Sequence, residues 1–441
     1  MRSDDTIFAP ASGYGRAAIC VIRISGPGSR FILETIAGGV PAPRRLVLRT
    51  LIAPDDREPL DQALVAWMPG PDSFTGEDQV ELHIHGGLAT RAAVLKALGS
   101  LPDCRPAEAG EFTRRAFLNG RMDLSRVEGL ADLIEAETEA QRRQALSQLE
   151  GRLGEAAERW REEILQALAL LEASLDFSDE GDVPEDLERE VVRRLEALRE
   201  SLSRVLANAG GERLREGLSV VLAGPPNAGK STLLNALAKR DVAIVSPIAG
   251  TTRDVIEVHC DLNGLPVVIV DTAGLRESPD AVEQEGVARA RARAGKADLV
   301  LWLIPPEGTG ETPPEARRLL RVGTKSDLDQ AGLNRIRHDC DLTVSAATGE
   351  GMAELLDRLG QEADAALGAG DALLTRERHR RALERAQASI RTALDLLERH
   401  GPVELTAEEV RLAARAFGEI TGRVDVEEVL DRLFSSFCIG K

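Results

Sequence analysis

One octapeptide, Gly224-Pro-Pro-Asn-Ala-Gly-Lys-Ser231, constrains the fold of this chain more than any other feature. The apolar run Leu218–Ala223 precedes it and predicts a buried strand, and residues 232–239 after it have a helix-like composition. A glycine-rich loop between a strand and a helix allows backbone N–H groups to close around phosphate oxygens. A chance glycine-rich turn is the alternative, but strand, loop and helix coincide. We therefore predict a phosphate-binding loop in an α/β domain.

The side chains of this loop have distinct expected roles. Lys230 supplies a positive charge to the β- and γ-phosphates, and the Ser231 hydroxyl can ligate Mg²⁺. The sequence therefore predicts a nucleotide and magnesium as ligands. The residues expected to bind the nucleotide here are Asn227, Ala228, Gly229, Lys230, Ser231 and Thr232.

A second motif, Asp271-Thr272-Ala273-Gly274, follows about 40 residues later, directly after an apolar run at residues 266–270. Asp271 is placed to reach Mg²⁺ through water, and Gly274 can bind the γ-phosphate. A loop between the two motifs contains a threonine for the remaining metal position and can order on the γ-phosphate. The spacing therefore predicts a nucleotide switch. The loop residues expected at the nucleotide are Ser246, Ile248, Ala249, Gly250, Thr251 and Thr252.

The choice of base depends on Thr324-Lys325-Ser326-Asp327. The Asp327 carboxylate can accept hydrogen bonds from the N1–H and exocyclic amine of guanine, which adenine does not offer, and the Lys325 stem can cover the ring. GTP is therefore favoured. Asparagine usually stands where Thr324 does, so a side-chain amide contact is missing and we expect weaker guanine binding. A further stretch, Ser345-Ala346-Ala347, resembles the loop whose backbone touches the guanine oxygen.

The residue that orients the attacking water is not evident at its usual place. Ras-like enzymes have a glutamine directly after the glycine of the second motif, whereas this chain has Leu275. Leucine cannot orient water, so catalysis must take its electrostatics from elsewhere. Glu283, in an acidic segment after the switch, is the candidate, and an exposed helix carboxylate is the alternative.

Length and charge set the remaining limits. The 441 residues suffice for two to four domains at about 100–200 residues each. A net charge of −18 means that any nucleic-acid contact needs a local basic patch or a partner protein. The chain has no run of roughly 18 apolar residues and no signal-peptide core at its charged start, which predicts a cytoplasmic protein without a membrane span. The five scattered cysteines suggest neither a disulfide framework nor a zinc cluster.

The pattern along the chain predicts three domains. An α+β module at residues 1–118 has β-rich runs at 18–25, 45–51, 61–68 and 79–85 and a helix at 89–99. Long helices are expected at residues 119–212 and 374–441, including 185–208, 376–399 and one opened by a capping box at Thr406. The simplest architecture inserts an α/β domain, residues 213–373, between two helical segments that form one bundle. Two independent helical domains are the alternative.

Motifs outside the nucleotide site carry a resemblance over nearly the whole chain. With the stretches above, they make the chain similar to the tRNA modification GTPase family MnmE, also called TrmE. The matching stretches are Asp5-Thr-Ile, Val21-Ile-Arg-Ile-Ser-Gly26, Ser73-Phe-Thr-Gly-Glu-Asp78, His85-Gly-Gly87, Glu111-Phe-Thr113, Ala116-Phe-Leu-Asn-Gly120, Asp176-Phe-Ser178 and Phe437-Cys-Ile-Gly-Lys441.

The resemblance implies a potassium-stimulated GTPase that acts on tRNA together with a flavin-containing partner, MnmG. The pair adds an aminomethyl-type group to carbon 5 of the wobble uridine of certain tRNAs, with the one-carbon unit taken from 5-formyl- or methylene-tetrahydrofolate. It also implies a folate-binding-like N-terminal module that forms a homodimer, and two GTPase (Ras-like) domains that meet across K⁺. A GTP-switch binding protein of the ribosome-assembly type, without modification chemistry, is the alternative.

The resemblance also assigns residues. Glu283 matches the water-orienting glutamate, and Cys438 matches a cysteine near the folate site whose chemical role is open, a structural thiol being the alternative. The implied ligand sets are Asn227, Ser246, Ile248 and Thr251 for K⁺, Ser231 and Thr252 for Mg²⁺, and Arg23, Glu81, Arg121 and Lys441 for folate.

Two further patterns have competing interpretations. Glu81, His83 and His85 share one face of a strand and could ligate a metal, although half-buried strand histidines are common. Arginines in residues 376–391 could touch tRNA, but interleaved glutamates and alanines favour a solvated helix face.

Overall fold

The computed structural model describes residues 5–13, 15–176, 185–208, 210–240, 242–244, 257–271, 297–308, 312–328, 330–367, 372–424, 429–430, 433–434, 437 and 440. The chain divides into two compact units. The first unit comprises Met1–Ala131, Gly154–Arg161 and Phe417–Lys441, and the second comprises Asp132–Leu153 and Glu162–Ala416. The three domain boundaries drawn from the sequence remain predictions.

The first unit contains a six-stranded sheet. Its order is β3-β4-β5-β2-β1-β6, and every neighbouring pair is antiparallel except β1 and β6. The four β-rich runs predicted from the sequence all form strands, with ends that shift by one or two residues. The strands are β1 Thr6–Pro10, β2 Ile19–Ser25, β3 Val47–Ile52, β4 Pro59–Met68, β5 Gln79–His85 and β6 Cys104–Pro106.

Alternation along the strands decides which face of this sheet is covered. Ile22 and Ile24 are fully buried, while Arg23 between them lies on the opposite face. The buried face packs against two helices, α1 (Ser29–Ile36) and α2 (Leu88–Gly99). The sequence predicted the second of these helices. Consequently the polar side chains of β2 and β5 are displayed on the face that α1 and α2 leave uncovered.

A second cluster in this unit holds the end of the chain. It joins the helix α3 (Glu111–Leu118) to α4 (Leu124–Glu135), and Phe434 and Phe437 are buried against Leu124. The backbone of Gly440 approaches the Pro10 carbonyl at the end of β1 so closely that no side chain would fit there. The described residues of the C-terminal tail therefore pack within the unit that contains the N-terminal sheet.

The second unit contains a sheet of the kind predicted around the phosphate-binding loop. Its order is β12-β11-β10-β7-β9-β8, parallel throughout except for the antiparallel pair β8 and β9. The central strand β10 is buried at every residue, which is typical of a parallel sheet covered on both faces. The strands are β7 Leu218–Ala223, β8 Glu257–Leu262, β9 Leu265–Asp271, β10 Leu299–Ile304, β11 Leu319–Gly323 and β12 Leu342–Thr343.

The remaining helices belong to the second unit, apart from residues 154–161 and 417–421, which belong to the first. Several are long, as the sequence predicted for residues 119–212 and 374–441. In the described parts of the chain, none is long and apolar enough to cross a membrane. The remaining helices are α5 Glu139–Leu149, α6 Arg152–Asp176, α7 Glu185–Leu206, α8 Gly210–Glu216, α9 Lys230–Ala238, α10 Gln330–Ile336, α11 Met352–Leu367, α12 Glu377–Glu398 and α13 Val403–Thr421.

The predicted capping box at Thr406 is wrong. Helix α13 already begins at Val403, so Thr406 lies inside its first turns. The Thr406 hydroxyl donates to the carbonyl of Pro402, at 3.4 Å, instead of accepting from a backbone N–H ahead of it. Proline favours a helix start because its fixed φ and missing N–H cost nothing there, and this preference moved the boundary forward.

The solvated face predicted for the arginines of α12 is only partly correct. Arg376, just before the helix, donates from Nη2 to Asp132 Oδ1 at 2.6 Å. Arg380 donates to Glu212 Oε2 at 2.8 Å and to the carbonyl of Leu206. These two side chains join helices within the unit, whereas Arg391 is exposed.

Candidate nucleotide-binding site

The backbone of the octapeptide forms a wide loop between β7 and α9. Gly224 has φ +149°, and a Cβ there would lie 2.7 Å from the carbonyl oxygen of Leu303 on β10, so only glycine fits. Gly229 has φ +92° and caps the start of α9. Asn227 also has a positive φ, 61°, and is exposed to solvent. The loop therefore turns back on itself and presents the N-terminus of α9, as the strand, loop and helix pattern predicted.

Lys230 lies inside this loop. Its Nζ donates to the carbonyl oxygens of Gly224 at 2.8 Å and Pro225 at 2.9 Å. These contacts hold the ammonium group at the mouth of the loop, where the sequence placed a cation for the phosphates. Ala228 is fully buried and Thr232 is exposed.

The two phosphate motifs meet at one hydrogen bond. Ser231 Oγ donates to Asp271 Oδ2 at 2.7 Å, although 40 residues separate them. Asp271 ends strand β9 and is fully buried. A hydroxyl and a carboxylate oxygen are the ligands that Mg²⁺ prefers, directly or through water, so the donor set at this point fits the ion.

The base-reading turn also has a fixed geometry. Ser345 Oγ donates to Asp327 Oδ1 at 2.6 Å, and the backbone N–H of Thr348 donates to the same Ser345 oxygen at 3.1 Å. Ser345 is buried and Asp327 is exposed, so a rigid group holds an accessible carboxylate. Lys325 has φ +57°, which turns the chain two residues before Asp327. Ala346 is partly buried and Ala347 is exposed.

The position of Thr324 was not foreseen. The residue is 4% exposed, and its Oγ1 donates to the carbonyl oxygen of Ala228 in the phosphate loop at 2.7 Å. The sequence indicates only a lost amide contact at Thr324, because no local pattern reveals a partner that is 96 residues away. Its effect on guanine affinity stays a prediction.

Several predicted site residues lie outside the residues that the structure describes. They are Ser246, Ile248, Ala249, Gly250, Thr251 and Thr252 of the first loop, Thr272, Ala273 and Gly274 of the second motif, the candidate Glu283, and Cys438 and Lys441 of the tail.

On the face of the first sheet opposite α1 and α2, Arg23 and Glu81 form an ion pair. Their strands are in direct register, and Arg23 donates from Nη2 to Glu81 Oε1 at 3.1 Å. The guanidinium lies over the rings of Phe74, at 5.2 Å, and Phe112, at 5.9 Å. The other Glu81 oxygen is 3.4 Å from His83 Nε2. Two of the residues assigned to folate by resemblance thus lie together beside aromatic rings.

Arg121 is more exposed than this pair. Its Nη1 is 4.0 Å from Asp72 Oδ1, and its aliphatic stem lies close to Gly76. His85 pairs instead with Asp61, through Nδ1 to Oδ1 at 2.7 Å. In the described parts of the chain, histidine, cysteine and acidic side chains form no cluster that could hold a metal ion.

Comparison with known proteins adds the family. A family model described as the MnmE helical domain matches residues 124–438, and one described as the GTP-binding protein TrmE N-terminus matches residues 6–121. The curated tRNA modification GTPase MnmE of Methylobacterium sp. (strain 4-46) is 61% identical over 441 residues, which cover 99% of this chain and 100% of the relative. The chain belongs to the MnmE family of tRNA modification GTPases.

A second MnmE relative and one solved structure are also similar to parts or all of this chain. The tRNA modification GTPase MnmE of Beijerinckia indica subsp. indica is 54% identical over 442 residues, 99% of this chain and 96% of the relative. The solved G domain of the T. maritima FeoB iron transporter is 23% identical and covers 33% of this chain and 98% of that chain, with a TM-score of 0.24. The assignment to the MnmE family depends on the sequence matches.

A partly buried ion network in the MnmE N-terminal unit was not predicted from the sequence. Arg105 donates to both carboxylate oxygens of Glu111, and Arg115 donates to Asp5 Oδ1 at 2.6 Å and to Glu77 Oε2 at 3.1 Å. Burial opposes ionisation of Glu111 and Asp5, but the arginine hydrogen bonds outweigh it and lower the pKa of both carboxyls. The sequence feature that could have indicated this network is Glu111, an acidic residue flanked by Gly110 and Phe112.

Proposed function

We propose that this MnmE-family chain hydrolyses GTP as part of tRNA modification. The observation that carries the proposal is the arrangement at the carboxyl ends of the parallel strands of one sheet. There β7 leads into the phosphate loop, β9 ends at Asp271, and the turn after β11 presents Asp327. Ligands of open α/β sheets bind at this edge. The relatives' printed name, tRNA modification GTPase, supports the same activity.

Nucleotide binding and its metal follow from the same side chains. Lys230 and the α9 N-terminus would hold the phosphates, and Asp327 would select guanine. Ser231 would hold Mg²⁺ together with Thr252, which lies outside the described residues. When bound, the ion neutralises charge on the β- and γ-phosphate oxygens.

Potassium stimulation is the second part of the proposal. With Leu275 after Gly274, this chain lacks the usual glutamine, so positive charge at the bridging oxygen must come from another source. Asn227 is an exposed residue of the phosphate loop, and its side-chain amide oxygen supports this role. We propose that Ser246, Ile248 and Thr251 complete the K⁺ ligands and that Glu283 orients the attacking water.

We further propose that the first unit binds 5-formyl- or methylene-tetrahydrofolate. Glu81 supplies a carboxylate that suits the N–H edge of a pterin, and Phe74 and Phe112 supply aromatic walls beside it. Arg23, Arg121 and Lys441 would meet the acidic tail of the folate. With a flavin-containing partner, MnmG, the chain would then add an aminomethyl-type group to carbon 5 of the wobble uridine in the cytoplasm.

An apolar patch supports the proposed homodimer. Leu48 on β3 and Leu64 on β4 are direct cross-strand neighbours, and their exposed fractions are 62% and 40%. Leu46, next to the same edge strand, is also exposed. Strand β3 ends the sheet, and an apolar edge of this kind is typical of a surface that pairs with another chain.

Two measurements test the proposal. The purified chain should bind and hydrolyse GTP but not ATP, and Asp327→Asn should weaken GTP binding while it favours xanthosine triphosphate, because the amide presents a donor to the xanthine oxygen. Mass spectrometry of tRNA nucleosides from a deletion strain should show loss of the wobble-uridine modification. Hydrolysis without any modification defect would instead favour a GTP-switch binding protein.

A further inference from the structure

A short loop, residues 73–77, forms one wall of the proposed folate site. The ring of Phe74 lies 5.2 Å from the guanidinium carbon of Arg23. The aliphatic stem of Arg121 lies against Gly76, where an added Cβ would be 3.3 Å from Arg121 Cγ. The 73–77 loop therefore contacts two of the side chains that we assign to folate, and its position determines how they are arranged.

Glu77 fastens this loop to the first sheet. Its Oε2 accepts a hydrogen bond from Ser25 Oγ, at the end of β2, at 2.8 Å. Ser25 Oγ and Thr75 Oγ1 are 2.7 Å apart, and both residues are fully buried. A serine hydroxyl has one proton, which Ser25 gives to the carboxylate, so Thr75 is the donor in the second bond. The two hydroxyls thus form a directed chain that ends on Glu77.

The same carboxylate also connects the loop to helix α3. Arg115 on α3 has a side chain that is 10% exposed, and its Nη1 donates to Glu77 Oε2 at 3.1 Å. A hydrogen bond between two charged groups is stronger than one between neutral groups. Just after α3, Asn119 Nδ2 donates to the carbonyl of Thr75 at 2.7 Å. The loop is therefore held from β2 and from α3, and Glu77 is the side chain on which both sets of contacts meet.

We propose that Glu77 is a positioning residue of the folate site. By fixing the 73–77 loop, it holds Phe74 over Arg23 and keeps Gly76 against the stem of Arg121. This inference rests on the proposed function, tetrahydrofolate binding by the first unit. A loop that is already ordered in the free protein loses less conformational freedom on binding, which increases affinity. The Glu77 carboxylate is used by protein donors, so it acts through the loop and not by contact with the ligand.

The test measures the Kd of the full chain for 5-formyl-tetrahydrofolate by isothermal titration calorimetry. Glu77→Ala removes the anchor, whereas Glu77→Gln keeps an acceptor oxygen in nearly the same shape. Asp61→Ala is the matched control, because Asp61 is also a largely buried carboxylate and accepts hydrogen bonds from the backbone and ring of His85. His85 is the last residue of β5, whereas the 73–77 loop precedes the first.

We expect Glu77→Ala to raise the Kd by roughly tenfold, since the loop must then be ordered when folate binds. Glu77→Gln should recover most of the affinity, because its amide oxygen accepts from the same two donors. Asp61→Ala should bind folate as the protein without substitutions does. The rate of GTP hydrolysis should stay the same in all three variants, because the phosphate loop belongs to the other unit.

A double-mutant cycle tests whether Glu77 acts through the aromatic wall. In a Phe74→Ala background the ring is absent, so adding Glu77→Ala should raise the Kd by less than about threefold. Should Glu77→Ala fail to fold, Thr75→Val takes its place with the same expectation, since it breaks the same hydroxyl chain.

Three results would overturn the inference. They are an unchanged Kd in Glu77→Ala, an equal loss of affinity in Asp61→Ala, and an effect of Glu77→Ala that is the same with and without the Phe74 ring. A lower melting temperature of Glu77→Ala with normal folate affinity would also count against it, because it would show a purely structural role. Failure of the proposed function has a different signature, since the protein without substitutions would then bind no folate.

Discussion

Arg105 holds both carboxylate oxygens of Glu111, with Nη1 to Oε2 at 2.9 Å and Nη2 to Oε1 at 2.5 Å. Glu111 is 3% exposed, and its backbone position at the start of α3 adds a favourable helix dipole. The pair joins β6 to α3. Asp5, which directly precedes β1, accepts hydrogen bonds from both Arg105 and Arg115. These ion pairs therefore connect the first and last strands of the N-terminal sheet to helix α3.

The first prediction concerns the pH dependence of stability. The pKa of Glu111 is lower in the folded protein than its usual 4.5, so its contribution is fully present above about pH 4.5 and is lost as the pH falls through the folded pKa. Glu111→Gln should cost roughly 2–3 kcal/mol at neutral pH and much less in acid. The free energy of unfolding from urea titrations at several pH values measures this. Glu108→Gln, an exposed neighbour, should change stability little at any pH; equal losses in both variants would contradict the prediction.

The second prediction is potassium-dependent hydrolysis. K⁺ should accelerate GTP hydrolysis and Na⁺ should not, because the bridging β–γ oxygen needs a positive charge and Asn227 supplies a neutral oxygen ligand for the cation. Asn227→Ala should abolish the difference between the salts. Asn235→Ala, an exposed residue of α9, is the control and should retain it. The measurement is the initial rate of GTP hydrolysis in KCl and in NaCl at matched ionic strength. Equal rates of the protein without substitutions in the two salts would contradict the prediction.

The third prediction separates binding from chemistry at Glu283. If this carboxylate orients the attacking water, Glu283→Ala should lower kcat by roughly 10²-fold or more and leave nucleotide affinity nearly intact. Glu354→Ala, an exposed residue at the start of α11, should keep both values. Single-turnover hydrolysis and nucleotide titration measure the two quantities. Weakened GTP binding with normal kcat would place Glu283 in the structure of the switch instead.

The fourth prediction concerns the end of the chain. Deleting residues 438–441 should leave folding and GTP hydrolysis almost unchanged, because the buried anchor Phe437 remains, yet it should eliminate wobble-uridine modification. Gly440 lies against the Pro10 carbonyl of the first sheet, so the tail belongs to a different unit from the phosphate loop. Mass spectrometry of tRNA nucleosides gives the result, and intact modification would refute a role for the tail.

The thiol of Cys438 can be tested separately from the tail. Cys438→Ser should reproduce the modification defect if the thiol has chemistry, and it should be nearly silent if the side chain only packs. The four other cysteines offer a control. Burial raises the pKa of Cys260 to about 11, so this thiol stays protonated, and Cys260→Ala should leave modification intact.

The local elements of this protein could be predicted from its sequence. The strand Leu218–Ala223, the glycine loop after it and the helix at 377–398 were recognised within a residue or two because each is defined by neighbours along the chain. The boundary of α13 was wrong, since the preference of Pro402 for a helix start competed with the capping signal of Thr406.

Only the tertiary structure decided which distant side chains meet. The Thr324 hydroxyl reaches Ala228 across 96 residues, and Arg115 reaches Asp5 across 110. Hydrophobic periodicity specifies which face of a strand or helix is buried, but it does not specify which polar groups that burial leaves side by side. A buried donor must find an acceptor among whatever packing brings within reach. For this reason the sequence determined the motifs and most elements of the protein, and packing within each of its two units decided which of those motifs contact one another.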